Sequence, residues 1–166
     1  LDTVLRTNEI KPRIEINDFV VRKYSDMRLT SRVSGQNAFF WEPNLVELIG
    51  DVKLMRSRDD DVTETGTAGK VTGYFSGANI MQVLANPELT SAVLEDEVTI
   101  DMKDHQLQTS TAEMFTLAEI VRGSHPVSVT GPGRKFEGSQ GFIYNYNSRE
   151  LQLFGRVFGS ETVQSP

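Results

Sequence analysis

Period-two alternation of apolar and polar residues is the feature that most constrains this chain. In 45–55 one face carries Val46, Leu48, Gly50, Val52 and Leu54. In 150–158 one face carries Leu151, Leu153, Gly155 and Val157, and the other Glu150, Gln152, Phe154 and Arg156. Successive strand side chains point to opposite sides of a sheet, so this pattern buries one face and leaves the other in water. Runs at 13–21, 26–33, 97–102, 106–110, 127–130 and 134–146 alternate in the same way or are rich in β-branched and aromatic residues. Turn clusters separate the runs at short intervals: Glu42-Pro43-Asn44, Asn86-Pro87-Glu88, Gly131-Pro132-Gly133 and 145–148. No proline interrupts a strand core, where its missing N–H would break the ladder. The pattern predicts an all-β, antiparallel fold of the sandwich, barrel or jelly-roll kind.

Two stretches stand apart. Residues 78–84 (ANIMQVL) fit one or two helical turns ended by Asn86-Pro87, and fit a strand as well, with Ile80, Gln82 and Leu84 alternating against Met81 and Val83. Residues 58–69 (RDDDVTETGTAG) read as a polar, turn-rich loop.

A degenerate repeat runs through the strands. Four segments share an apolar run, a small or polar residue, one more residue and then Val: they end at Val52, Val98, Val127 and Val157. The intervals of 46, 29 and 30 residues suggest a unit of roughly 30 residues with an insertion in the polar stretch after Arg58. Two or three strands per unit cannot bury a face alone; stacked units share one apolar interior.

Composition narrows the function. A length of 166 residues fits one domain at about 150 residues each. A net charge of −6 argues against a nucleic-acid partner, which calls for a basic surface. The absence of Cys removes disulfides, thiolate metal sites and Cys nucleophiles. No apolar run approaches the roughly 20 residues of a membrane-spanning helix. The two histidines, His105 and His125, have no metal-ligand spacing, and no nucleophile elbow, Walker loop or dinucleotide fingerprint occurs. Asp59-Asp60-Asp61 reads as a solvated loop, since three consecutive carboxylates diverge. No catalytic residue, metal or cofactor is expected.

Three stretches resemble a known family. Residues 13–55 are similar to the opening of the LptC family, with a small-residue-plus-Ala element at 35–38 and a Gly-x-Val at 50–52. Residues 125–145 (HPVSVTGPGRKFEGSQGFIYN) and 148–159 (SRELQLFGRVFG) resemble terminal repeats shared by LptC, LptA and the amino-terminal domain of the outer-membrane lipopolysaccharide translocon. The resemblance spans 13–159, with 58–90 matching least, and leaves 1–12 as an extension and 160–166 as a tail. It implies a single V-shaped antiparallel β-jelly roll built from stacked strand repeats. It also implies a non-catalytic periplasmic carrier of lipopolysaccharide, held to the inner membrane by an amino-terminal helix that this chain lacks. Such a carrier receives its cargo from the inner-membrane ABC exporter at the amino-terminal edge and passes it to an LptA-type bridge protein at the carboxy-terminal edge. An LptA-like bridge and a structural or adhesive β-repeat domain are the alternatives.

Alternation nominates an apolar face: Met27, Leu29, Ala38, Phe40, Val46, Leu48, Val52, Leu54, Val98, Ile100, Leu107, Val127, Val129, Phe136, Phe142, Tyr144, Leu151, Leu153 and Val157. By pattern alone these residues are a packed core; the resemblance implies that some of them line a lipid slot. It likewise implies partner edges at Ile14 and Ile16 and at Gln152, Phe154 and Arg156. A backbone N–H at those last three positions is expected to face outward.

Overall fold

The computed structural model describes residues 12, 14–57 and 63–161. The described residues form twelve antiparallel strands: β1 Ile14–Ser25, β2 Arg28–Trp41, β3 Leu45–Ser57, β4 Thr63–Phe75, β5 Leu89–Asp101, β6 Gln106–Phe115, β7 Ile120–Gly123, β8 Val127–Gly131, β9 Arg134–Gly138, β10 Phe142–Asn145, β11 Glu150–Leu153 and β12 Val157–Glu161. Of these, β4 and β7 lie outside the alternating runs. The strands β1 to β6 form a meander in sequence order. The sheet then forks on β6. Its first half, Gln106–Thr109, pairs β8, and the end of it, Glu113–Phe115, pairs β7. One branch continues β7-β10-β11 and the other β8-β9-β12.

The fork arises because each strand bends where it crosses between two layers. Register shifts mark the crossing between Ser34 and Asn37 in β2, Ile49 and Val52 in β3, Thr67 and Lys70 in β4, and Glu95 and Val98 in β5. Gly50 and Asp51 have φ of 85° and 46°, and Asp96 and Glu97 have 62° and 60°. These are left-handed conformations that Gly and Asp adopt more readily than most residues, and they turn the strand as β-bulges do. The bends stack on one another. The Gln36 amide donates to Asp51 Oδ2 at 2.7 Å. A Cβ on Gly69 would lie 2.7 Å from Asp96 Cβ. Beyond β6 the bend becomes a break: β7 and β8, β9 and β10, and β11 and β12 are halves of former strands. The result is an open V-shaped β-jelly roll, with one layer on each side of the line of bends.

Three of the four repeat anchors lie on this line: Val52 and Val98 begin the buried run after a bend and Val127 the one after the β7–β8 break, whereas Val157 is exposed. The longest interval, 52 to 98, contains the connection 76–88 between β4 and β5, so the extra length lies there and not directly after Arg58. That connection carries α1, Ile80–Ala85. The two patterns that fitted 78–84 resolve to helix because Asn79 caps it, accepting from the Gln82 N–H at 3.0 Å. The Gln82 side chain reaches back to the Ala78 N–H at 2.8 Å. Ile80 and Val83 face the core.

Residues 63–69 are not loop, as their polarity suggested, but the start of β4. Alternation is present there in small and polar residues, with Glu64 and Ala68 buried between outer threonines. Asp59-Asp60-Asp61 lies outside the described residues. The interior is one continuous cluster, with Phe40, Phe142, Leu107, Val52 and Val98 fully buried.

Candidate binding groove

Away from the bends the layers diverge and leave a groove of about 1090 Å³. Its apolar floor comes from both layers: Val33, Leu54 and Ile100 on one side, Leu94, Met114 and Val121 on the other. A smaller chamber of about 380 Å³ lies between the β5–β6 turn and strands β8 and β9 on one side and β10–β11 on the other, over Met102, Val129, Phe136 and Leu151. Tyr144 lines both spaces.

Polar side chains cross the groove between the layers. Arg56 and Glu64 are direct cross-strand partners on β3 and β4. The Tyr144 hydroxyl donates to Glu64 Oε2 at 2.6 Å, and Glu64 is only 7% exposed. The Arg56 guanidinium stands 4.0 Å from Glu119 of the opposite layer and 4.8 Å above the Tyr146 ring. Burial pushes the Tyr146 phenol above its ordinary pKa. Arg56 opposes that shift, while Glu119 and Glu64 add to it. Among the described residues, no group of three or more His, Asp or Glu is placed to hold a metal ion. No helix among them is long and apolar enough to cross a membrane.

The nominated residues divide by depth. Ala38, Phe40, Val46, Leu48, Val52, Val98, Leu107, Val127 and Phe142 are buried in packed interior. Leu54, Ile100 and Tyr144 line the large groove, and Val129, Phe136, Tyr144 and Leu151 the small chamber. Leu153 packs against the core and Leu29 is half-buried. Met27 and Val157 depart from the expectation. Met27, 98% exposed, sits at φ 64° in the β1–β2 turn, where strand alternation has ended. Val157, 48% exposed, follows the break at Gly155 (φ 77°), which resets the alternation. Sequence reading missed Val33, Leu94, Met114 and Val121 as lining residues. It also missed Arg56, Glu64, Glu119 and Tyr146, whose partners are too distant in sequence to show a motif.

Both ends of the sheet are open. β1, with Ile14 and Ile16 packed against the core, stands at one end of the strand path and β11 at the other; β12 pairs β9 alone. The expected outward donors at the second edge need correction. The Phe154 N–H donates to the Gly141 carbonyl at 2.9 Å, and the Phe154 carbonyl accepts from Gln140 at 3.0 Å. Arg156 donates to Ser139 Oγ at 2.7 Å and accepts from the Ser139 N–H at 3.1 Å. Both residues therefore bond inward. Hydrogen-bonding direction alternates along an antiparallel strand, so Gln152 also bonds inward and the outward groups belong to Leu151, Leu153 and Val157.

The fold defines a class: an open, two-layered β-jelly roll with an apolar interior and unpaired edge strands. No family model and no curated protein matches the sequence. Among solved structures the chain is similar to LptH from Pseudomonas aeruginosa, the LptA-homologous periplasmic component of the conserved lipopolysaccharide transport device. The identity is 13%, the TM-score 0.53, and the match covers 94% of this chain and 96% of that one. The match shows the fold.

Proposed function

We propose that this chain is a non-catalytic periplasmic carrier of lipopolysaccharide of the LptC type. In that role it receives cargo from the inner-membrane ABC exporter at β1 and passes it to an LptA-type bridge protein at the β11–β12 edge. The full-length protein would carry an inner-membrane anchor before the jelly roll. The observation that carries the reading is the groove between the layers, apolar on its floor and open along its mouth. An amphiphile can bury its chains between Leu54, Ile100, Leu94 and Met114 while its sugars stay in water. Edge strands with free N–H and C=O groups let another jelly roll continue the sheet. The likeness to LptH favours a second reading, an LptA-like bridge between two such partners.

Photo-crosslinking tests the carrier reading. A photoreactive side chain at Leu54 or Met114 is expected to capture lipopolysaccharide, and one at Glu150 or Gln152 to capture little. Equal capture at both pairs of positions overturns the reading. Co-purification with the solubilised exporter separates the LptC type from the bridge.

A further inference from the structure

The free margin of the layer that holds β7, β10 and β11 is apolar on its outer side as well as toward the groove. Cross-strand register aligns Trp41, Leu45, Tyr74, Ser91, Phe115 and Ile120 in one row over β2 to β7. Their chain neighbours Phe40, Val46, Phe75 and Val121 are buried in the core, so the row faces outward. Only Ser91 breaks its apolar character, and past Ile120 the row turns polar at Asn145 and Glu150. It stands at the rim: Trp41 ends β2, Leu45 begins β3, Phe115 ends β6 and Ile120 begins β7. Tyr74 is 52% exposed, and in the connections beyond the row Met81 is 72% and Leu117 99% exposed. One row nearer the bends polarity returns. Phe39 and Val93 stand there among Glu47, Thr72, Glu113 and Arg122. Glu47 pairs with Lys70 at 3.7 Å, and Arg122 with Glu113 at 3.6 Å.

We infer that this margin docks into the interfacial region of a phospholipid bilayer. The inference rests on the carrier reading and deepens it, by naming the surface from which the groove takes its amphiphile. Successive rows on one face of a sheet are about 7 Å apart, and an apolar face lying in a membrane interface sinks about 5–10 Å. The apolar row and the turns beyond it fit that depth, and the ion-paired row stays among the headgroups. Trp and Tyr rings favour such an interface, where one end of the ring is apolar and the other wet. A second copy of the chain is a poorer occupant. The row is about 24 Å long and one residue wide, far short of the roughly 800 Å² that each partner buries in a stable complex. Leu117 both lines the groove and projects from this margin, so docking opens the groove directly onto the bilayer. Glu42 and Glu88 in the adjoining connections do not draw anionic lipid, so the docking is apolar and insensitive to salt.

Trp41 is the single tryptophan of the chain and sits in the row, so its emission reports docking. The 166-residue chain is mixed with phosphatidylcholine vesicles, plain or brominated on the acyl chains. Groove loading is followed separately with a fluorescent fatty acid in vesicle-free solution. The chain is expected to sediment with the vesicles at low and high salt alike, and brominated lipid to quench Trp41 at least twofold. Tyr74→Glu, on the face away from the groove, should lower vesicle binding at least fivefold and leave fatty-acid binding unchanged; Tyr74→Phe should keep both. Fatty-acid binding without vesicle binding overturns the docking and leaves the carrier reading intact. Vesicle binding without fatty-acid binding supports the docking and overturns the carrier reading. Vesicle binding that spares Trp41 or survives Tyr74→Glu overturns the outer row as the docking surface. Binding confined to anionic vesicles and lost at high salt overturns its apolar basis. Self-association that Tyr74→Glu abolishes, with no vesicle binding, overturns the bilayer and assigns the row to a second copy.

Discussion

The Tyr144 hydroxyl and the Glu64 carboxylate, 80 residues apart in sequence, meet at 2.6 Å between the two layers. They are not paired within the sheet, so this bond ties β10 across the opening to β4. A hydrogen bond to a charged, buried group contributes about 1.5–3 kcal/mol. Tyr144→Phe is expected to lower unfolding free energy by that amount, read from the urea midpoint at unchanged slope. A loss below about 0.5 kcal/mol would show that the bond does not hold the layers.

The Tyr146 phenol gives a pH signature. Its pKa in the folded protein is raised above 10.0, chiefly by burial. As pH climbs past 10.0, the unfolded chain releases this proton before the folded one does. The unfolded state then binds fewer protons, and stability falls with rising pH until the folded pKa is passed. The contribution is fully present below 10.0. Tyr146→Phe should flatten the stability profile above pH 10 relative to wild type, measured by thermal melts. Parallel profiles would refute the assignment.

Glycines at the breaks differ in what they tolerate. At Gly141 (φ 103°) an added Cβ would strike the Gly123 carbonyl oxygen. Both backbone strain and collision oppose any side chain there, so Gly141→Ala is expected to destabilise by at least about 2 kcal/mol. At Gly66 the nearest atom to an added Cβ is Leu94 Cδ2 at 4.0 Å, an ordinary contact. Gly66→Ala should change the melting temperature little. Comparable losses at both positions would count against the bend as a close backbone approach.

The carboxy-terminal edge yields a backbone test. Val157 begins β12 with an exposed side chain and an outward N–H, a place where proline is tolerated. Val157→Pro should leave the fold intact by circular dichroism and weaken capture of an LptA-type partner, while Val157→Ala should do neither. Phe158→Pro removes an inward bond and should destabilise the domain itself. Normal capture by folded Val157→Pro would exclude this edge as the docking site.

Much of the architecture was legible because alternation records facing directly. The runs around β1, β3, β6, β8 and β11 were visible for that reason, and the Val repeat was the trace of the bends. β7 and the whole of β4 lay outside the runs read from the sequence, and the first half of β4 was not visible at all. Its inward residues, Glu64 and Ala68, are charged or small, so no apolar signal reported their burial. The helix α1 was obscured because ANIMQVL satisfies both periods over seven residues; the Asn79–Gln82 cap was the discriminating signal. Packed core was separable by pattern from solvent, but not from groove lining. Leu48 and Leu54 share a face of β3, yet Leu48 is packed core and Leu54 lines the groove. The Arg56–Glu119 and Tyr144–Glu64 relations depend on closure of the two layers, which no local window contains.

The alignment of bends has a consequence for how such a molecule can change in length. The bends of the long strands and the breaks that follow β6 lie along one line, so the cross-section of the V is set strand by strand and not by any closing partner. A duplicated strand pair inserted between neighbours, or an identical domain set against either end, would lengthen the cavity while keeping its width. A closed barrel has no such freedom, because adding strands to it enlarges its diameter. Reach and bore are independent variables in this fold: the number of strands fixes the first and the residues beside the bends fix the second.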